Sequence, residues 1–151
     1  MRIFIDTAIA FTGSLCFGII FNIRGKKLFF AALGGGFCQL AFSLSAFFLK
    51  NEISQYFFAT IITAVYAELL ARLLKTPATV FLVPSIIPLV PGSMMYATME
   101  YCIMGDLNAF QYMLLETIGV AGSLAMGILV VSSINRLVKV ANSKIKKSIK
   151  P

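Results

Sequence analysis

The sequence contains no histidine, and only 13% of its residues are charged. Without histidine there can be no histidine-based metal site, catalytic triad or proton relay. Cysteine is scarce as well. Cys16, Cys38 and Cys102 show no C-x-x-C spacing and all sit in apolar runs, so small buried side chains are expected rather than zinc or redox chemistry. No nucleophile–base pair stands out, so no enzyme activity is expected. No cofactor or metal is expected either. What fills the place of charge is apolar: 59% of the 151 residues are hydrophobic and the mean hydropathy is +0.90. Soluble domains carry about a quarter charged residues. One small core could not hide this much apolar surface, and an integral membrane protein follows.

A helix needs about 20 apolar residues to cross a bilayer. Five runs qualify, over 3–21, 28–49, 56–74, 80–104 and 109–134, with a basic tail at 135–151. Residues 1–151 therefore read as a single all-α transmembrane domain. Met1 and Arg2 ahead of an apolar run resemble a signal peptide, but the run is of span length, so it is read as an uncleaved first helix.

The net charge of +7 is distributed unevenly. With five crossings and the N-terminus outside, Arg24, Lys26, Lys27, Arg72, Lys75 and the tail bases Arg136, Lys139, Lys144, Lys146, Lys147 and Lys150 share one side, eleven in all. Arg2 and Lys50 take the other. A fourth segment that dipped in and returned would split these bases across the membrane. The positive-inside rule thus selects five spans, N-terminus out and C-terminus in. The tail is expected to lie near anionic lipid headgroups rather than to bind nucleic acid.

The fourth run contains VPSIIPLVPG, with Pro84, Pro88 and Pro91 in an otherwise apolar stretch. Each proline lacks the N–H that would bond the carbonyl four residues earlier, releasing the carbonyls of Val80, Pro84 and Ile87. Such groups facing lipid cost several kcal/mol each, so the break must be buried in protein or line a wet cavity. Beyond it, SMMYATMEYCIM can restart a helix with Pro91 in its first turn. The N–H groups of Gly92, Ser93 and Met94 would then be free at the positive end of a helix dipole, a seat for a carboxylate. Broken helices of this kind recur in transporter substrate sites. The alternative is a kink that only shapes packing.

Gly92, Tyr96 and Glu100 follow at i, i+4, i+8, placing a face from the break to a carboxylate. Ala31, Gly35, Gln39 and Ser43 form a second stripe beside the triplet Gly34-Gly35-Gly36. Ionisable residues inside spans are costly and carry functional hypotheses by default. Glu116 is one such residue; Glu68, four residues before Arg72, has a local explanation as its partner. Without histidine, any proton coupling would use these carboxylates or Tyr66, Tyr96 and Tyr112. Two stripes of small residues, Ala10, Ser14, Gly18 and Gly119, Ser123, Gly127, read as faces for close helix packing.

The run TVFLVPSIIPLVPGSMMYATM (79–99) resembles the signature of the threonine/serine exporter family in its small-subunit form, and FNIRGKKLFFAALGG (21–35) is similar to the start of its second span. Pro84, Pro88, Pro91, Gly92 and Tyr96 match the motif, with Asn22 and Gly35 matching more loosely. The resemblance departs at span two, where Gln39 stands at the position of a histidine and no base is present.

This resemblance implies one half of a two-component secondary exporter in a bacterial inner membrane, paired with a homologous larger subunit that has its own cytoplasmic region. It also implies a small carboxylate substrate: threonine, serine or a dicarboxylate such as succinate. On that reading Pro84, Pro88, Pro91, Gly92, Ser93, Tyr96, Glu100, Gln39 and Glu116 line the site or pathway. The competing reading is a non-transporting assembly subunit whose prolines serve helix packing.

Overall fold

The computed structural model describes residues 2–148. Lys150, and the side chains of Lys139, Lys144, Lys146 and Lys147, lie outside the described residues. The elements in order are α1 (Arg2–Ile20), α2 (Lys26–Phe48), α3 (Glu52–Leu73), α4 (Thr79–Ile86), a 3-10 turn (Ile87–Leu89), α5 (Gly92–Met104) and α6 (Leu107–Ser148), and no strand occurs among the described residues. The 4 helices long and apolar enough to cross a membrane are α1, α2, α3 and the Leu107–Val138 part of α6. The pair formed by α4 and α5, bent by 50° at the proline motif, makes up to 5 if it counts as one span.

Local chemistry sets the helix ends. Asn51 caps α3, its side chain accepting from the Ile53 amide at 3.0 Å. Gly105 closes α5 in the left-handed conformation (φ 76°), where a side chain would be strained. Asp106 then starts α6 by accepting from the Ala109 amide at 3.1 Å. The basic segment after residue 134 is not a separate tail but a helical continuation of α6 to Ser148. Between Ile128 and Ser148 the sequence has neither proline nor glycine to stop it.

The bundle reverses the usual distribution of side chains. Its fully buried residues are mostly small or weakly polar, among them Ser14, Cys38, Thr60, Thr63, Pro84 and Ser85, whereas Phe4, Phe47, Phe48 and Ile103 are more than 70% exposed. In water that arrangement would aggregate; in lipid, small residues let helices approach while large apolar ones meet the acyl chains. Several buried hydroxyls are satisfied within their own helix, as where Thr60 and Thr63 donate to the Tyr56 and Ala59 carbonyls at 2.7 and 2.8 Å, whereas that of Ser14 has no partner among the described residues.

Helix α2 is central, packing on α1, α3 and α4. Ala10, Ser14 and Gly18 are the buried residues of α1. Gly35 of α2 lies directly against Ser14, and an added Cβ there would collide with the Ser14 hydroxyl. Ser85 of α4 donates to the Ala31 carbonyl at 3.1 Å, and Tyr66 of α3 donates to the Phe30 carbonyl at 2.9 Å. The triplet Gly34-Gly35-Gly36 is thus buried by neighbouring helices, with Gly36 facing a largely apolar groove beside Phe4, Thr7 and Phe11, while Gln39 lines a different cavity beside Pro88.

Helices α3 and α6 run side by side in the same direction. Ile53 lies at Gly119, Thr60 at Gly127, and Arg72 at Asn135. The small face Gly119, Ser123, Gly127 meets α3, with Ser123 buried and donating to the Val120 carbonyl at 2.8 Å. At the far end Arg72 does not pair with Glu68. Its guanidinium instead donates to the Asn135 side chain at 2.6 Å, because α6 extends far enough to offer that acceptor.

Candidate functional site

The proline motif sits where α4 leaves the body of the bundle and α5 joins α6. One face of the segment up to Leu89 is buried, with Phe81, Pro84, Ser85 and Leu89 at 3% exposure or less, while Val83 is exposed and Pro88 half-buried. Leu89 packs with Cys38 and Ala41 of α2, Ala59 of α3, and Val120 and Leu124 of α6. Ala59 lies seven residues into α3, or about 10 Å below its start, so the break falls well inside the apolar layer and not at its edge. This meets the physical demand that a disrupted backbone in lipid be covered by protein.

The backbone at the break is partly repaired. The Val90 amide donates to the Ile87 carbonyl at 3.1 Å, so Ile87 is not left with a free acceptor. Gly92 likewise differs from expectation: its amide donates to the Val90 carbonyl at 2.7 Å. Pro91 precedes α5 as its cap rather than standing in the first turn, and its carbonyl accepts from Met95 at 3.0 Å. The amides of Ser93 and Met94 have no acceptor among the described residues. The free positive end of α5 is therefore two amides, not three.

The expected site residues fall into three places. Gly92, Ser93, Tyr96 and Glu100 are all exposed on α5, which packs mainly on α6, while its Met94 also reaches the core around Cys38, Ala41 and Ala59. Among the described residues no side chain covers their face. Gln39 is half-buried on the opposite side of the break and shares with Pro88 a cavity of about 370 Å³ between α1, α2 and the 3-10 turn. Glu116 shares no cavity with Gln39 and lies nearer the start of α5. It accepts from the Tyr112 hydroxyl at 2.8 Å and lines a smaller cavity of about 240 Å³ with Lys50, Asn51, Glu52 and Met94. The structure does not bring Gln39, Glu100 and Glu116 to one point.

The cavity beside Pro88 contains a residue that the sequence reading passed over. Asp6 of α1 lines it together with Ala10, Gly13, Gln39 and Ile87. The signal was available, since an acid inside an apolar span is costly and asks for a reason. It was masked by closeness to the N-terminus, where a charge is easily assigned to the membrane surface. Among the described residues no group of three or more histidine, cysteine or acidic side chains is placed to hold a metal.

A comparison with known protein families places residues 6–134 on the family described as Threonine/Serine exporter, ThrE. That match runs from Asp6 through the whole proline motif to the end of the apolar part of the last helix. No curated protein and no solved structure matches the chain.

Proposed function

The chain belongs to the threonine/serine exporter family, and from that premise we propose that it is one of two subunits of a secondary exporter whose substrate passes at the break between α4 and α5. It is a multi-pass membrane protein with a transport role of the amino-acid export type. The observation that carries the proposal is the 50° bend inside the apolar layer, with the Ser93 and Met94 amides left open at the start of α5. Two free amides at a helix N-terminus suit a carboxylate, the group common to threonine, serine and succinate.

A partner is part of this reading. Among the described residues no helix covers the Gly92, Tyr96 and Glu100 face, and a substrate path open to lipid along one whole side would not hold a polar solute. A homologous larger subunit packed on α5 would close it. Alternating access could then arise from relative movement of the two halves, driven by an ion gradient.

Five crossings, with the N-terminus outside and the C-terminus inside, fit the parallel run of α3 and α6. Two helices in a bilayer point the same way only if the chain between them returns to its starting side. On this reading the bent α4–α5 pair crosses once rather than dipping and coming back. Cysteine labelling of intact cells checks this. A cysteine placed at Arg2 should react with an impermeant maleimide and one placed at Arg136 should not; reaction at both would leave an even number of crossings.

One observation favours the assembly reading instead: Pro84 and Leu89 are buried in helix packing, as prolines that only shape a scaffold would require. Export separates the two readings. Cells expressing both subunits and loaded with labelled threonine, serine or succinate should release at least one of them faster than cells with the larger subunit alone. Equal release, with the small chain present in the membrane, would leave it an assembly role.

A further inference from the structure

We infer that the cavity where the α2–α3 loop meets α6 is the outward vestibule of the substrate path, with Glu116 on its wall and Met94 closing its floor. The inference rests on the transport reading above and deepens it, because it names the side from which water and small polar carboxylates reach the break.

The cavity measures about 240 Å³. Its rim is the loop between α2 and α3, where Lys50, Asn51 and Glu52 are all exposed. With the N-terminus outside, that loop faces outward. Its floor is made by Val120 and by Met94, the third residue of α5. Both belong to the packing around Leu89, Val120 as a buried member and Met94 half-buried against it. The cavity therefore runs from the outer loop down to the side chains that cover the break. It ends on a residue whose amide is one of the two left open.

The level of the loop shows how water gets there. Ile53 of α3 packs at Gly119 of α6, so Lys50 to Glu52 stand about level with Glu116. Helix α6 begins nine residues before Glu116. About 14 Å of it, with the end of α5 that packs on it, thus rises past the loop. The loop is the foot of a step in the outer surface, not its top.

A carboxylate inside a span is tolerated where it lines a water-filled cavity. Glu116 is half-buried there and accepts one bond, from Tyr112. Among the described residues no ion pair joins it to Lys50, although both line the same space. Water in the vestibule accounts for both facts, since it solvates the carboxylate and weakens its attraction to the lysine. The larger groove along Phe37, Leu44 and Phe58 is no rival, because its wall is almost wholly apolar and includes nothing from α5. Met94 suits a floor that must open, being unbranched and adaptable in packing.

Thiol labelling tests the vestibule in cells expressing both subunits. Exposed Cys16 and Cys102 are first replaced by serine, and buried Cys38 is kept. Glu116→Cys should react with a charged, membrane-impermeant thiosulfonate added outside, roughly tenfold or more faster than Ile118→Cys, because the attacking thiolate needs water. Ile118 is exposed two residues further along α6 and does not line the cavity. After reaction, threonine or succinate export should fall to the level of cells with the larger subunit alone. Lys50→Cys at the rim carries the same readout where Glu116→Cys itself does not export, and membrane abundance is measured alongside. Reaction of Glu116→Cys no faster than Ile118→Cys would overturn the vestibule, as would full export by the labelled chains. Reaction only in inside-out vesicles would overturn its outward direction. A parent chain that releases neither solute would sink the transport reading and this role with it, an outcome recognised before any label is added.

Discussion

Gly34→Leu should remove most of the protein from the membrane. A Cβ at Gly34 would meet Tyr66 Cε1 at 2.9 Å and Ser85 Cβ at 3.0 Å, and would collide with the Ser85 hydroxyl. None of these can step aside cheaply. Tyr66 is tied to the Phe30 carbonyl and Ser85 to the Ala31 carbonyl, both on the same turn of α2 that carries Gly34. The helices on either side are held at this distance by the bonds they make across it. Alanine alone is expected to cost about 1–3 kcal/mol as overpacking, and leucine more, which would lower abundance several-fold or abolish it. Gly122→Leu serves as the control, because a Cβ there meets nothing within 4 Å. Quantifying the detergent-extracted protein and its thermal transition checks the prediction; a Gly34→Leu chain as abundant and as stable as Gly122→Leu would contradict it.

Gly92→Leu should give the opposite pattern, a normal amount of protein with export lowered roughly tenfold to a hundredfold, the scale of losing hydrogen bonds to a charged group. Nothing lies within 4 Å of a Cβ added at Gly92, and its backbone is not in the left-handed region. Leucine is also a better helix residue than glycine by about 0.5–1 kcal/mol, so the fold has no reason to suffer. A side chain at this first position of α5 would stand over the Ser93 and Met94 amides and shield them from a carboxylate. Normal export by an abundant Gly92→Leu chain would show that these amides are not where the substrate rests. Run together, the two glycines separate a helix contact from a substrate contact, which neither variant could do alone.

The same contrast shows where sequence reasoning reached and where it stopped. The helices were legible because their causes are local: apolar runs of span length, Asn51 and Gly105 at the ends, and three prolines that cannot continue a hydrogen-bond ladder. That the chain bends near Pro91 follows from missing amides and needs no neighbour. How the break is repaired did not follow, since the Gly92 amide finds the Val90 carbonyl through a particular turn geometry rather than through residue type. The stripe through Gly35 and Gln39 looked like one face. It is two environments, because helices crossing α2 bury Gly35 against Ser14 while Gln39 lines the cavity beside Pro88.

Amino-acid order by itself determined that this is an all-helical membrane chain, which segments are apolar enough to span, and where the fourth must break. Each of these is a matter of neighbouring residues and of backbone groups that lipid will not solvate. Tertiary structure alone decided that Arg72 bonds Asn135 instead of Glu68, that Gly34 admits Ser85 and Tyr66, and that Asp6 shares a cavity with Gln39 and Pro88. Those pairings join residues far apart in the chain, and what selects them is the close fit of several helices at once, which no local pattern encodes.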